Sequence, residues 1–375
     1  MKLVFVPDSF KGTLSSDQIC EILSEKAQIV FPGCETVSIP VADGGEGSVD
    51  CFLKALGGEK IYVTAKNPFF EDISAFYGLT DGGKTAIIEM ACCAGLPLIE
   101  DRKDTLNATT FGVGQLMLDA ARRGAEKIIL GLGGSATTDG GCGAAAAAGV
   151  KFYNSDGQTF IPVGGTLSVI ARIDFSIDSA LSGVEIVTMC DIDNLMYGKT
   201  GAAHVFGPQK GASANDIEIL DLGLRHLSEI IARDKGADVH NIPGTGAAGA
   251  MGAGMIAFFD SPLQMGIETV LDTVSFEEII SDADIIITGE GLFDLQSLSG
   301  KVVIGVSKRA KKLGKPVIAL VGGAVPGIEC SYGLGISAIF TINRLPEDFS
   351  VSREKSAENL AFAAENIFRL IKNVL

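Results

Sequence analysis

Four short apolar runs in this chain each end in a loop of glycines set beside carboxylates or hydroxyls. Lys2–Val6 runs into Pro7-Asp8-Ser9-Phe10-Lys11-Gly12, and Thr36–Val41 into Ala42-Asp43-Gly44-Gly45-Glu46-Gly47. Lys127–Leu132 runs into Gly133-Gly134-Ser135-Ala136-Thr137-Thr138-Asp139-Gly140-Gly141, and Asp284–Thr288 into Gly289-Glu290-Gly291 with Asp294. Helical patterns fill the gaps. A capping box at Ser15-x-x-Gln18 opens a helix with Ile19, Ile22 and Leu23 on one face, and a second is expected at Ser275-x-x-Glu278. Thr109–Arg122 and Val302–Leu313 read as helices closed by Gly124 and Gly314, and 352–375 as an amphipathic terminal helix. Strands alternating with helices require a parallel sheet covered on both faces. Such sheets bind ligands at the carboxyl ends of their strands, where these loops lie.

The middle of the chain has a different grammar. Ile73–Gly78 and Thr85–Met90 flank Asp81-Gly82, a hairpin signal, and Lys151–Phe160 encloses the turn Asn154-Ser155-Asp156-Gly157. The expected architecture is α/β. A Rossmann-like parallel-sheet domain takes residues 1–60, 105–137 and 265–375, and a second α/β domain of residues 61–104 and 138–264 is inserted into it.

With 47 glycines in 375 residues the chain is rich in glycine, but the clusters imply tight turns and close backbone approach rather than a linker. A net charge of −16 argues against nucleic acid and anionic membrane as partners. A phosphorylated or carboxylate substrate would therefore need Lys, Arg or Mg²⁺ in the site. The eight cysteines form no C-x-x-C pair, which excludes a zinc motif and a disulfide framework. The opening apolar run stops at Pro7, too short for a signal peptide, and no stretch reaches the length of a membrane span. A cytoplasmic protein is expected; its oligomeric state is open.

Each loop suggests a chemistry. Asp8 can accept a hydrogen bond or bind a metal, and Lys11 can pair with an anion. Asp43 lies among glycines suited to Mg²⁺ or a hydroxyl. Gly133–Thr137 before a helix makes a phosphate cradle of N–H groups and hydroxyls. Asp191, past the apolar run Val184–Met189, is a candidate general base or metal ligand. Lys210 sits in the glycine-bracketed turn Gly207–Gly211. Gly78–Thr85 matches the spacing of a P-loop, but β-favouring residues follow Lys84 where a helix is needed, so a hairpin is expected there.

In order along nearly the whole chain, PDSFKGTLSS, VADGGEG, IIEMACCAGL, TTFGVGQL, GLGGSATTDGG, CDIDN, VFGPQKGA, GTGAAGAMGAG and TGEGLFDLQSLSGKV resemble the type 1 glycerate kinase family. The resemblance implies phosphorylation of D-glycerate by ATP with Mg²⁺, with 2-phosphoglycerate favoured over 3-phosphoglycerate. It also implies two α/β domains, one inserted in the other, with the site in the cleft between them. Within that frame Asp8 and Ser9, Gly133, Gly134, Ser135 and Thr137, and Gly289 and Gly291 bind substrate or phosphate. Lys11 and Lys210 neutralise charge, Asp43 and Glu290 hold Mg²⁺, and Asp191 takes the hydroxyl proton; Asp43 and Asp191 could exchange roles. The chain departs from the family's usual residues at Leu292 (often Arg), Thr138 (often Asn) and Asn67-Pro68-Phe69-Phe70 (often Asp-Pro-Leu-Gly). The alternatives are another small-molecule hydroxyl kinase and a non-catalytic nucleotide- or metabolite-binding protein.

Overall fold

The computed structural model describes residues 1–41, 45 and 47–374. The chain divides into two compact units, Met1–Ala42 with Met265–Leu375, and Asp43–Gln264.

The first unit is built on five parallel strands in the order Ile336–Thr341, Val317–Val321, Ile285–Gly289, Lys2–Pro7, Glu35–Ser38. Ile285–Gly289 and Val317–Val321 are buried throughout, and Lys2–Pro7 past its first residue, which is why their sequences are continuous apolar runs. The Ser15 capping box is present: Gln18 N donates to Ser15 Oγ at 3.2 Å, and Ser15 N to Gln18 Oε1 at 2.9 Å. It opens helix Ser16–Val30, whose Ile19, Leu23 and Ala27 join Leu360, Ala364 and Phe368 of helix Ser356–Val374 in one core. Burying each of the larger side chains contributes roughly 1.5–3 kcal/mol.

The second expected capping box does not form. Ser275 has φ 52° and its side chain caps nothing. Capping needs an extended backbone at that residue. Here only two residues separate helices Gly266–Thr273 and Phe276–Ile280, so the chain turns through the left-handed region instead. The acids of these helices serve Arg309, which pairs with Glu268, Asp272 and Glu277.

The second unit holds six strands in the order Leu263–Gln264, Glu185–Met189, Lys127–Gly131, Thr85–Glu89, Asp72–Thr80, Glu59–Lys66. The first four are parallel and the last two antiparallel. Thr80 pairs with Thr85, and Asp81, Gly82 and Gly83 between them all have positive φ. The P-loop spacing is thus a hairpin turn, as expected. Lys151–Tyr153 and Thr159–Phe160 form the other expected hairpin, in a separate small sheet.

The expected domain boundaries need correction. Residues 43–60 and 105–137 belong with the second unit. The reason is strand pairing: Lys127–Gly131 lies in register between Thr85–Glu89 and Glu185–Met189. Helix Phe111–Arg122 packs on that sheet's core through Val113, Leu116 and Met117. Among the described residues no helix is long and apolar enough to cross a membrane. None of the eight cysteines is joined in a disulfide.

Candidate functional site

In the first unit two neighbouring strands end together. Pro7 is in register with Gly289, and Asp8 N donates to Gly289 O at 2.8 Å. Asp8 and Glu290 therefore leave adjacent strand ends. A side chain at Gly289 would collide with the Leu320 carbonyl on the next strand, so only glycine lets the strands close up here. Gly291 O accepts from Gly323 N at 3.0 Å, which fixes the turn that follows. Asp8 Oδ1 accepts from Ser9 N at 2.6 Å, and reciprocal backbone bonds between Phe10 and Leu14 close the loop that exposes Lys11.

Glu290 is the unusual group of this unit. It is 8% exposed, and its Oε1 has no hydrogen-bond partner. Burial pushes its pKa up to about 7, with Asp8 and Asp294 adding to the rise and Ser297 and Lys301 opposing it. Asp294 is itself occupied, accepting from Gln296 N, Ser297 N and the Ser297 hydroxyl. A carboxyl whose folded pKa lies above its unfolded value stabilises the fold fully at pH below the unfolded value. That stability is lost as pH rises through the folded pKa. As pH rises from the ordinary glutamate value of 4.5 through about 7, Glu290 should therefore come to cost the fold about 3 kcal/mol. Glu290→Gln should remove this cost, raising urea stability at pH 8 but not at pH 4. Wild-type and variant stability curves that run parallel across this range would refute the assignment.

In the second unit the loop Gly133–Gly141 leaves strand Lys127–Gly131 and enters helix Cys142–Ala147. Its first half is held by a neighbouring segment: Leu96 N donates to Gly134 O, and Ala136 N to Ala94 O, both at 2.8 Å. Ser135 Oγ accepts from Thr137 N at 3.3 Å. Its second half is held from inside. Asp139, fully buried, accepts from Thr110 N and Oγ1 at 2.8 Å, Gly141 N at 3.0 Å and Gly143 N at 3.2 Å. Burial still raises the Asp139 pKa, against the pull of those donors. Gly249 packs against the loop where a Cβ would strike the Thr137 carbonyl, and Gly140 N donates to Gly249 O at 3.1 Å. Ala248, Gly249 and Ala250 all take left-handed φ to allow this approach.

Lys210 is 1% exposed and lies beneath this loop, not on its surface. Its ammonium donates to Thr137 O at 2.6 Å and Ser135 Oγ at 3.4 Å. Burial lowers its pKa to about 7, while Asp139 holds it up. Lys210, expected from the sequence to neutralise charge on the transferred group or the carboxylate, is bonded here to the glycine loop.

Asp191 is half-buried, two residues past Met189, whose strand partner is Gly131 at the mouth of the glycine loop. The thiol of Cys190 donates to Ile192 O at 3.5 Å and Gly244 O at 3.6 Å, which holds this turn. Asp43 lies outside the described residues.

The structure thus gathers Asp8, Ser9, Lys11, Gly289, Glu290 and Gly291 in one unit. It gathers Gly133, Gly134, Ser135, Thr137 and Lys210 in the other, with Asp191 two residues past the adjacent strand. Sequence reasoning assigned no role to Asp139, whose signal was an acid just before a small-residue helix, nor to Thr110, whose signal was its place in the segment TTFGVGQL. Among the described residues no group of three or more His, Cys, Asp or Glu is placed to hold a metal.

Comparison with known proteins extends these observations to the whole chain. Residues 3–372 match the model of the glycerate kinase family. A glycerate kinase of Bacillus cereus is 44% identical over 98% of this chain and 97% of its own. A glycerate 2-kinase of Escherichia coli is 40% identical over 98% and 97%. A crystal structure of a protein described as glycerate kinase 2 from Salmonella typhimurium LT2 superposes with a TM-score of 0.87 at 38% identity, covering 100% of this chain and 98% of that one.

Proposed function

The chain belongs to the glycerate kinase family, phosphotransferases with an alcohol group as acceptor, and from that premise we propose that it phosphorylates D-glycerate with ATP and Mg²⁺ to give 2-phosphoglycerate rather than 3-phosphoglycerate. We further read it as a type 1 member. The observation that carries the site is the loop Gly133–Gly141, held at a strand end by buried Lys210 and Asp139. Phosphoryl transfer asks for alignment and charge neutralisation more than covalent help, and a pre-set array of N–H groups and hydroxyls provides both. The E. coli relative's name, glycerate 2-kinase, supports the regiochemistry.

In this reading Gly133, Gly134, Ser135 and Thr137 hold the phosphates of ATP, and Lys210 keeps their backbone in place from below. Asp8, Ser9, Lys11, Gly289 and Gly291 receive glycerate or the transferred group, with Lys11 countering its negative charge. Asp191 accepts the hydroxyl proton, with Asp43 as the alternative base. For Mg²⁺ the donors fit: Glu290 has a buried oxygen without a partner, and its electrostatic neighbour Asp8 leaves the adjacent strand end. Mg²⁺ commonly takes one or two carboxylates and completes its shell with phosphate oxygens and water, so no larger protein cage is required. Asp43 is the other candidate ligand. Bound there, the ion would offset charge on the phosphates of ATP.

Incubation with ATP, Mg²⁺ and D-glycerate followed by ³¹P NMR tests the proposal. The 2-phosphate signal is expected. A 3-phosphate product would overturn the regiochemistry, and turnover with sugars or amino alcohols but not glycerate would favour another hydroxyl kinase. Binding of ATP with no turnover on any acceptor would leave only a nucleotide-binding protein.

A further inference from the structure

Two parts of the second unit, the turn that carries Asp191 and the glycine loop, lean on one segment. Residues 244–250 form the turn before helix Ala247–Phe259 and its opening residues. On one side this segment meets the turn at 191–195. Gly246 N donates to Asn194 O at 2.8 Å, and a Cβ at Gly246 would collide with the Leu195 carbonyl oxygen. Gly244 O accepts from the Cys190 thiol at 3.6 Å, and a Cβ at Gly244 would lie 3.1 Å from Ile192 O. Asn194 Nδ2 donates to Thr200 O at 2.8 Å, which closes the turn from its far end. The backbone just after Asp191 is thus set carbonyl by carbonyl.

On its other side the same segment meets the glycine loop. Gly249 lies against Thr137 O, the carbonyl that also takes the Lys210 ammonium. Gly140 N donates to Gly249 O at 3.1 Å, and further along the same helix a Cβ at Gly254 would collide with Gly140 O. Ala248, Gly249 and Ala250 have φ of 55°, 64° and 66°. Alanine is disfavoured in that region, and such a conformation persists only where its surroundings enforce it. Close backbone packing on both sides supplies the enforcement.

We propose that the segment at 244–250 is a positioning element for phosphoryl transfer: Gly246 sets the turn of Asp191, Gly249 sets the glycine loop, and the short backbone between them fixes the one against the other. This rests on the reading above, with Asp191 as the base and Gly133, Gly134, Ser135 and Thr137 on the phosphates of ATP. Phosphoryl transfer depends on alignment, and misplacement of a reacting group by about 1 Å costs up to ~10²-fold in rate without a contact to substrate being lost.

The test places a methyl group at each contact in turn. Gly246 has φ −79°, which alanine adopts freely, so Gly246→Ala acts by pressing on Leu195. It should lower kcat by about 10-fold and leave KM for ATP within about threefold. Gly249→Ala presses on Thr137 and should instead raise KM for ATP, and the calorimetric Kd of ATP, by about 10-fold or more. Added to Asp191→Asn, Gly246→Ala should cost little further, because a base that is absent cannot be misplaced. Gly333→Ala, whose Cβ would meet nothing within 4 Å, is the control and should hold all three constants within about twofold. A merely structural segment would lower the urea midpoint in both variants without separating kcat from KM. Equal changes in both constants for both variants, wild-type kinetics in folded Gly246→Ala, or full additivity with Asp191→Asn overturns the proposal. A slow Gly246→Ala beside an unimpaired Asp191→Asn would instead keep the spacing of the turn and discard Asp191 as the base. Should Gly246→Ala not fold, Asn194→Ala frees the same turn from Thr200 O and should carry the same kcat signature. Should Gly249→Ala not fold, Gly254→Ala presses on Gly140 O of the same loop and takes its place.

Discussion

Asp191→Asn should lower kcat by about 10²-fold or more while KM for ATP changes by less than about threefold. The asparagine keeps the shape and the turn, because that turn is held by the Cys190 thiol and by Cys190 N bonding to Gln264 O, not by the Asp191 carboxylate alone. What it loses is the capacity to take a proton. A base acts on the acceptor's hydroxyl in the transition state, so its loss falls on kcat and not on nucleotide affinity. Steady-state kinetics with ATP and D-glycerate varied separately read the split. Asp43→Asn in parallel decides between the two candidates: the variant with the larger kcat loss and the flatter KM marks the base. Near-normal kcat in Asp191→Asn removes it from that role.

The second large effect is expected in the core of the second unit. Asp139→Leu should destabilise by about 3–5 kcal/mol and raise KM for ATP, because four donors lose their acceptor and Lys210 loses its nearby counter-charge. Leucine is close in size, so the loss would not be a cavity effect. Asp139→Asn should fall between, since its one acceptor oxygen still serves part of the set. Urea unfolding with the coupled kinase assay reads both quantities. A leucine variant of wild-type stability would show that the glycine loop holds itself, and the scaffold described for it would fail. Removing Asp139 also takes away the charge that holds up the Lys210 pKa, so the lysine would be neutral over a wider pH range in the variant.

Much of this was legible along the chain because it is local. The Ser15 capping box is a matter of four residues, and the hairpin reading of Gly78–Thr85 rested on β-favouring residues immediately after Lys84. Both signals use only neighbours in sequence, and both appear in the structure. Ser275 carried the same capping pattern and failed, because the closeness of the preceding helix governs its backbone. Lys127–Gly131 was read correctly as a strand, but the sheet it joins depends on partners about 40 to 60 residues away, so the domain boundary was misplaced. Lys210 was legible as a cation in a glycine turn. That it points inward to Thr137, 73 residues distant, was not.

By itself the sequence determined the element types, the strand-end loops with their glycines and acids, and the family those loops resemble. All of these follow from patterns within a few residues or from their order. The tertiary structure decided which sheet each strand enters, which charges are buried, and which donors meet them. Lys210, Asp139, Glu89 and Glu290 illustrate the division. Each is an ordinary charged residue in the sequence, and each owes its altered pKa to burial by segments far along the chain.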